Sequence, residues 1–183
     1  MSAQRDFEEI ARATRGDSAA QNALVRRHMP RLHAVATRML GDSAAAEDVV
    51  QETFVKAWQA MPGWTPDARF STWLHRVALN LCYDYLRRRR DVTGVELPEQ
   101  TDPDLRPDDR LDQAERVSRI EAAIASLPER QRAALVLCRL EGHTNIEAAD
   151  IMEISVEALE SLLARARRTL RAMLSEGTEA AHG

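Results

Sequence analysis

Apolar residues recur at intervals of three and four positions along most of the chain, which is the spacing of one face of an α-helix. One such stripe, between residues 31 and 40, consists of Leu32, Val35, Ala36, Met39 and Leu40. The strict alternation of apolar and polar residues that half-buried strands require does not occur over any convincing length. The pattern therefore predicts an all-α protein.

Turn-forming and capping residues divide this pattern into separate helices. Pro30 is expected to begin one helix and Gly41 to end it. In the first half of the chain the predicted helices lie at 6–14, 19–28, 31–40, 43–60 and 70–90, with a loop at 61–67. In the second half they lie at 114–127, at 129–140, after a capping box at 144–147, and from 155 to about 174.

A segment of different composition separates the two halves. Residues 91–115 contain nine acidic and two basic side chains, and three prolines lie among them. Its apolar residues are scattered, so this segment has no core of its own and resembles a linker. We therefore predict two small helical domains joined by an acidic flexible linker, with boundaries at 1–91, 92–112 and 113–175 and a tail at 176–183.

The end of the second domain has the pattern of a helix-turn-helix. Thr144 and Glu147 fit a capping box that begins one helix, and Ser155 can cap the next. The connection between them, at 153–154, is tight, and the second helix is rich in arginine. Two helices joined in this way suggest a domain that binds the major groove of DNA.

The composition excludes several classes of protein. Of the 183 residues, 44% are apolar and 30% are charged, as in globular domains. No apolar run approaches the roughly 18 residues of a membrane span, and the first residues lead into no apolar signal sequence, so we expect a cytoplasmic protein. Cys82 and Cys138 are isolated, which gives little support to a disulfide or a zinc site.

A net charge of −4 would argue against nucleic-acid binding if the charge were spread evenly along the chain, but it is not. Residues 1–90 contain 14 basic and 10 acidic side chains, whereas most of the acidic excess lies in the linker region. All basic residues except Lys56 are arginines, the side chain that contacts phosphates and guanine edges with two hydrogen bonds. The charge distribution is therefore compatible with a nucleic-acid partner.

The outward side of the helix at 43–60 carries an unusual set of side chains. We term this set the acidic face: Asp48, Gln51, Glu52 and Val55. Their spacing of three and four positions places them on one side of the helix. The face is either an ordinary solvated surface or a docking surface for a basic partner helix.

The helix at 70–90 carries aromatic and basic residues beside its core stripe. We term this set the aromatic-basic face: Trp73, Arg76, Asn80, Tyr83 and Arg87. Aromatic rings beside guanidinium groups can stack on unpaired bases and contact their phosphates, and four consecutive arginines at 87–90 extend the positive charge. The alternative is that Trp73 belongs to the core and the arginines only stabilise the C-terminal end of the helix.

The last helix offers a candidate surface for duplex DNA. We term it the recognition face: Ser155, Glu157, Ala158, Ser161, Arg165 and Arg168. The first four of these would lie at base edges and the arginines at phosphates. The alternative is a terminal amphipathic helix with a polar outer side.

Signals for catalysis are weak. The chain has no Gly-rich phosphate loop, no HExxH and no GxSxG motif, and its five histidines form no ligand set. A DDxxD motif at 108–112 could bind a magnesium diphosphate in a helical enzyme, but it falls in the predicted linker, away from any helical cavity. We therefore expect no enzymatic activity, no metal and no cofactor.

Several of these motifs together resemble one family, the extracytoplasmic-function sigma factors of the sigma-70 family. The segment at 46–58, AEDVVQETFVKAW, is similar to region 2.2, and that at 70–80, FSTWLHRVALN, to regions 2.3 and 2.4. The segment at 126–132, SLPERQR, followed by LEG at 140–142 and the helix-turn-helix, is similar to region 4. The resemblance covers nearly the whole chain, in the order and spacing of the family.

The resemblance implies a role for each face. The acidic face would dock on the clamp helices of the β′ subunit of core RNA polymerase. The aromatic-basic face, with the loop at 62–69, would open the minus-ten element of the promoter and hold an extruded base. The recognition face would read the minus-35 element as duplex, while the second domain rests on the β flap. Many members carry basic residues where this chain has Glu160 and Leu162.

The resemblance also implies how the protein is regulated, and one rival hypothesis for its function stays open. Members of the family commonly serve stress-response regulons and are held inactive by an anti-sigma factor. The rival hypothesis is a conventional helix-turn-helix repressor or activator that binds duplex DNA without polymerase and dimerises through its N-terminal helices. A repressor would bind an operator tightly by itself, whereas a sigma factor of this kind would bind duplex promoter DNA weakly without polymerase.

Overall fold

The computed structural model of the protein describes residues 2–63, 69–93 and 118–179. Throughout these ranges the regular structure is helical, which confirms the predicted all-α class. The first half contains α1 (Ser2–Ala13), α2 (Ser18–Leu40), α3 (Ser43–Ala60), a short 3₁₀ turn (Met61–Gly63) and α4 (Phe70–Thr93). The second half contains α5, helical at 118–125, then α6 (Glu129–Leu135), a π-helical turn (Val136–Leu140), α7 (Asn145–Met152) and α8 (Val156–Glu179).

Aspartate caps fix the beginnings of α2 and α3. The Asp17 carboxylate accepts hydrogen bonds from the backbone N–H groups of Ala19 and Ala20, at 3.0 and 3.1 Å. Asp42 caps α3 in the same way. Each carboxylate satisfies N–H groups that have no partner within the helix. Gly41, between the two helices, has φ of 66°, a left-handed conformation that is unfavourable for residues with a Cβ atom.

Pro30 does not begin a helix, so the prediction of two helices between residues 19 and 40 was wrong. The structure has one continuous α2, and Pro30 lies in its interior on the exposed side. Leu24 and His28 before the proline and Leu32 after it are buried on one side of α2. Packing along this single face offsets the hydrogen bond that a proline cannot donate.

α2, α3 and α4 pack together as the body of the first domain. α3 buries Val50, Phe54 and Ala57, and α4 buries Phe70, Leu74 and Leu81. In each helix they recur at intervals of three, four or seven positions, as the residues of one helix face do. The outward sides of α3 and α4 are thereby left to carry the acidic face and part of the aromatic-basic face.

The second domain is built on α8, which packs against α6 and α7. Thr144 and Glu147 form the predicted capping box, with the Thr144 hydroxyl accepting from the Glu147 N–H at 3.2 Å. Glu153, in the turn between α7 and α8, has φ of 53°. The helix-turn-helix is therefore present, and its second helix continues to Glu179, five residues beyond the predicted end at about 174.

The two domains pack directly against each other. α4 contacts α7, α2 contacts α6 and the π-helical turn, and one cluster of buried apolar side chains contains residues of both domains. The predicted linker at 92–112 lies mostly outside the described residues, as do the tail residues 180–183. The domain boundaries therefore stay predictions, although α4 extends through Thr93, just beyond the first of them.

Candidate nucleic-acid and partner-binding surfaces

The acidic face lies exposed along α3. Asp48, Gln51, Glu52 and Val55 all point away from the core, and the Val55 side chain is 51% exposed. Glu52 pairs with Lys56 one turn later, at 3.4 Å. An exposed isopropyl group one turn beyond a carboxylate is a surface that can bind a basic helix by both charge and apolar contact.

An open recess of about 470 Å³ adjoins the acidic face, between α3 and α4. The side chains of Ala45, Val49, Leu81 and Tyr85 give it an apolar floor. Asp48 and Glu52 line its α3 side, and Arg88 and Arg89 line its α4 side. A partner side chain that reaches past the carboxylates would therefore find an apolar cavity behind them.

The aromatic-basic face lies on α4 as predicted, but its members differ in exposure. Asn80 and Arg87 are exposed, and Arg87 pairs with Asp84 at 2.9 Å. Trp73 is half-buried and stacks on Phe70, with the ring centroids 6.3 Å apart and the planes 10° from parallel. Burial raises the pKa of Tyr83 to about 12, and Glu129 and Arg130 of α6 lie close enough to influence that phenol.

Part of this face is covered by the second domain. Arg76 donates to the Asp150 backbone carbonyl at 2.9 Å and pairs with the Glu153 carboxylate at 3.2 Å. Arg69, at the start of α4, pairs with Glu147 of α7 at 3.1 Å. Two arginines that the sequence places in or beside a nucleic-acid surface thus bind carboxylates of the helix-turn-helix. In this arrangement, termed here the closed form, the Arg76 guanidinium is held by the second domain.

The recognition face is brought together on the outer side of α8. Glu157, Ala158, Ser161, Arg165 and Arg168 are all exposed and lie within one side of the helix. Ser155 precedes them as the helix cap, its hydroxyl accepting from the Ala158 N–H at 3.2 Å. The opposite side packs inward through Leu159, Leu163 and Ala166. A helix end presented in this way has the shape that enters a major groove.

Two positions that depart from the family pattern lie away from this face. Glu160 lies on its flank and accepts a hydrogen bond from the Asn145 side chain of α7, at 3.3 Å. Leu162 is half-buried and packs against the core. The Glu160 hydrogen bond joins the two helices of the motif.

Sequence reasoning gave no role to two groups of buried polar residues. Arg132 is 2% exposed, and its guanidinium donates to the carbonyls of Ala125, Leu127 and Met39. His75 of α4 and His143 of the second domain are in edge-to-face contact across the domain interface, with centroids 4.9 Å apart. No periodicity signals such residues, because charged and imidazole side chains are usually exposed.

Metal ligands and membrane-spanning helices can be assessed for the described part of the chain, and two sequence segments lie outside it. Among the described residues there is no group of three potential ligands that could hold a metal ion. Within the same ranges no helix combines the length and apolarity needed to cross a bilayer. The DDxxD motif at 108–112 and most of the loop at 62–69 lie outside the described residues.

Comparison with known proteins agrees with the two-part organisation. The family model of Sigma-70 region 2 matches residues 24–92, and that of Sigma-70, region 4, matches residues 118–170. The first match covers the acidic and aromatic-basic faces, and the second covers the helix-turn-helix.

Individual relatives and solved structures give the same result. The chain is 35% identical to the ECF RNA polymerase sigma factor SigE of Mycolicibacterium smegmatis over 88% of its length, and spans 65% of that relative. It is 33% identical to the RNA polymerase sigma factor CnrH of Cupriavidus metallidurans, over 92% of this chain and 94% of that one.

The fold agrees equally well with sigma factor structures. CnrH in complex with the cytosolic domain of CnrY superposes with a TM-score of 0.71, over 94% of this chain and 98% of that one, at 32% identity. The sigma factor RpoE bound to the anti-sigma factor NepR, from Bartonella quintana, superposes with a TM-score of 0.66 at 25% identity, over 84% and 96%. The chain therefore belongs to the extracytoplasmic-function sigma factors of the sigma-70 family.

Proposed function

We propose that the protein binds core RNA polymerase and directs it to specific promoters, without catalysing a reaction itself. The observation that carries this proposal is the exposed acidic face on α3 of a sigma-70 region 2 domain. Core polymerase contributes the catalytic centre and the basic clamp helices of β′. The sigma factor contributes promoter recognition and helps to melt the duplex.

The acidic face supplies the contact with polymerase. Asp48 and Glu52 offer carboxylates to basic side chains of the clamp helices, Gln51 offers an amide, and Val55 an apolar contact. The recess behind Asp48 and Glu52 gives room for a long partner side chain. Because charged groups dominate this surface, binding weakens as the salt concentration rises.

The aromatic-basic face acts on the minus-ten element after the closed form has opened. Trp73 and Tyr83 present rings on which unpaired bases stack, Asn80 offers both donors and acceptors to a base edge, and Arg76 and Arg87 bind phosphates. Extruding a base costs a few kcal/mol, and these contacts offset that cost once the strands separate.

The recognition face reads the minus-35 element as duplex. Ser155, Glu157, Ala158 and Ser161 lie at the N-terminal end of α8, the part that reaches base edges, and Arg165 and Arg168 lie further along, at phosphates. The second domain also rests on the β flap of polymerase. A carboxylate such as Glu157 accepts a hydrogen bond from the amino group of cytosine, so cytosine is favoured at the base it meets.

An anti-sigma factor is the expected inhibitor of this activity. The RpoE structure from Bartonella quintana contains such a partner, the anti-sigma factor NepR. A protein that holds the two domains of this chain in the closed form keeps Arg76 occupied and prevents promoter opening. We expect the regulon to be a stress response. Its promoters are those at which the protein starts transcription, and the inhibitor is the protein that prevents this initiation.

The rival hypothesis, a repressor that binds duplex DNA without polymerase, is separated by run-off transcription. Purified core polymerase is incubated with and without the protein on sheared genomic DNA of its source organism, and the transcript ends are sequenced. Discrete new 5′ ends with shared upstream elements are expected. If no initiation sites appear and the protein alone shifts duplex DNA, the repressor hypothesis replaces the sigma factor.

The substitution Asp48→Arg tests the acidic face. It is expected to abolish core polymerase binding, because a guanidinium at this position repels the basic clamp helices, while an exposed charge reversal changes stability by only about 0.5 kcal/mol. Binding is measured by co-elution with core polymerase in gel filtration. Glu8→Arg, the same charge change at an exposed position of α1, is the control. Undiminished binding by Asp48→Arg would remove the acidic face from the proposal.

A further inference from the structure

We propose that the His75–His143 pair makes the closed form sensitive to acid, so that protonation of these histidines separates the two domains and releases the arginines that bind promoter DNA. The proposal rests on the proposed function for its consequence in transcription. The conformational change itself is a property of the free protein and can be measured without polymerase or DNA.

The two rings meet at the domain interface in surroundings that accommodate neutral imidazoles. His75 is 2% exposed, and its Nδ1 lies 2.7 Å from the Ser71 carbonyl oxygen, which can only accept a hydrogen bond. Nδ1 therefore carries the single proton of the neutral ring. Among the described residues neither His75 Nε2 nor His143 Nε2 has a hydrogen-bond partner. A second proton on either ring would lie buried with no acceptor.

The titratable and charged groups around the pair add to the free-energy cost of protonating His75. α2 contributes His28 and Arg31, both of which disfavour a charge on His75, and His143 does the same from the second domain. Around His143, Glu147 of α7 and Glu141 favour the charge, whereas Arg31 opposes it. Burial is the largest cause at both rings and outweighs the opposing hydrogen bond to Ser71 at His75 and the two glutamates at His143. The pKa of His75 is lowered to about 4, and that of His143 is lowered as well.

The sign of the pH effect follows from these directions. Both histidines bind protons more weakly in the closed form than in an open form in which solvent reaches the rings and the ordinary pKa of about 6.5 returns. The closed form is therefore fully stable above about pH 6.5 and loses stability as the pH falls below that value. At about pH 5.5, His75 alone reduces the closed-to-open ratio by about tenfold, and His143 reduces it further.

Glu147, the carboxylate close to His143, does not produce the same response in this range. The hydrogen bonds from Thr144 lower the pKa of Glu147, so its pair with Arg69 stays charged at about pH 5.5. The ion pairs oppose opening, and the histidines decide the pH at which it occurs. Once the domains separate, Arg69 and Arg76 lose their carboxylate partners and become available to phosphates.

The test is small-angle X-ray scattering of the full-length protein at about pH 7.5 and about pH 5.5, over a series of NaCl concentrations that screens the ion pairs. The radius of gyration is expected to rise with salt, and the midpoint of that rise to move to lower salt at the acidic pH. The double variant His75→Phe, His143→Phe, which keeps two aromatic rings in contact but cannot be protonated, is expected to have the same midpoint at both values.

His33→Gln, a half-buried histidine of α2 that is not part of the pair, serves as the control and keeps the wild-type response. Far-UV circular dichroism at both pH values checks that each protein is folded. If the double variant loses helicity, His143→Phe alone, a change in the connection between the π-helical turn and α7, is expected to reduce the pH shift of the midpoint. The proposal is overturned if the wild-type midpoint does not move with pH, or if the midpoint of the double variant moves as far as that of the wild type. Neither result bears on the proposed function, which run-off transcription at neutral pH tests separately.

Discussion

At the scale of single residues, buried polar side chains organise this protein more than its surface ion pairs do. Arg132 extends from α6 into the interior and donates to three backbone carbonyls, those of Ala125, Leu127 and Met39. Burial lowers its pKa, but a guanidinium stays charged near neutral pH. Because Met39 belongs to α2, this one side chain links the ends of α5 and α6 to the first domain.

Removing this side chain should be costly. Arg132→Met keeps the length and apolar stem but leaves three carbonyls without a donor, so we expect a loss of about 2–4 kcal/mol in the free energy of unfolding. Thermal and urea unfolding followed by circular dichroism measure it. Arg139→Met, at an exposed position of the π-helical turn, is the control and should change stability by less than about 0.5 kcal/mol. Equal stability of the two variants would contradict the role given to Arg132.

Asn80 allows a functional test at the same scale. Its exposed side chain contributes little to stability, so Asn80→Ala is expected to spare polymerase binding and to lower transcription from duplex promoter by about tenfold, the order of one lost base contact. A template that is already melted at the minus-ten element should be transcribed nearly normally. Asp91→Ala, further along α4, is the control, and an equal loss on both templates would contradict a role in opening.

At the scale of elements, capping determines where helices begin more reliably than proline does. The capping box of α7 occurs where the sequence predicts it, and aspartate caps begin α2 and α3. Pro30, by contrast, lies inside α2, since the buried face on either side of it is continuous. A cap satisfies backbone groups locally, whereas the effect of a proline depends on what packs around it.

The α7 cap gives a prediction for this scale. Thr144→Val keeps the shape of the side chain but removes the hydroxyl that accepts from the Glu147 N–H, so the second domain should lose about 1 kcal/mol. Urea unfolding measures the loss. Thr144→Ser retains the hydroxyl and is expected to stay within about 0.5 kcal/mol of the wild type. If both substitutions cost the same, the hydroxyl is not the stabilising group.

At the scale of the whole molecule, charge is divided between the domains. In the ion pairs described at their interface the first domain supplies the arginines, Arg38, Arg69, Arg76 and Arg90, and the second supplies the carboxylates, Glu141, Glu147, Asp150, Glu153 and Glu129. Each exposed pair contributes only about 0–1 kcal/mol, but together they favour the closed form. The second domain thus presents to the first a negative surface, as a nucleic acid does.

A charge exchange tests this arrangement. Asp150→Arg places like charges beside Arg76 and is expected to lower the salt concentration at which the radius of gyration rises. Adding Arg76→Asp restores one ion pair with reversed polarity but places a carboxylate beside Glu153, so it should return only part of the shift. Glu157→Arg, the same charge change on the recognition face, is expected to leave the midpoint unchanged. If the double variant opens as readily as Asp150→Arg, the two residues are not coupled.

Periodicity was not enough to show that α2 continues through Pro30. Together with turn chemistry it predicted the all-α class, the helix-turn-helix and the helix sides on which the three faces lie. These properties depend on neighbours within a few positions, such as Thr144 and Glu147 or Asp48 and Glu52, and so they can be read along the chain. The acidic and recognition faces are exposed as their spacing requires. Trp73 is half-buried on Phe70, a contact between adjacent turns that the same spacing permits.

By itself, then, the sequence determined the fold class, the order of the helices and the faces on which the chemistry lies, because helix formation and amphipathic burial are local. Only the tertiary structure decided that Arg76 binds Asp150 and Glu153, that Arg132 reaches Met39, and that His75 meets His143. These contacts join residues more than 60 positions apart, and their energies depend on burial and distance, which no local pattern contains.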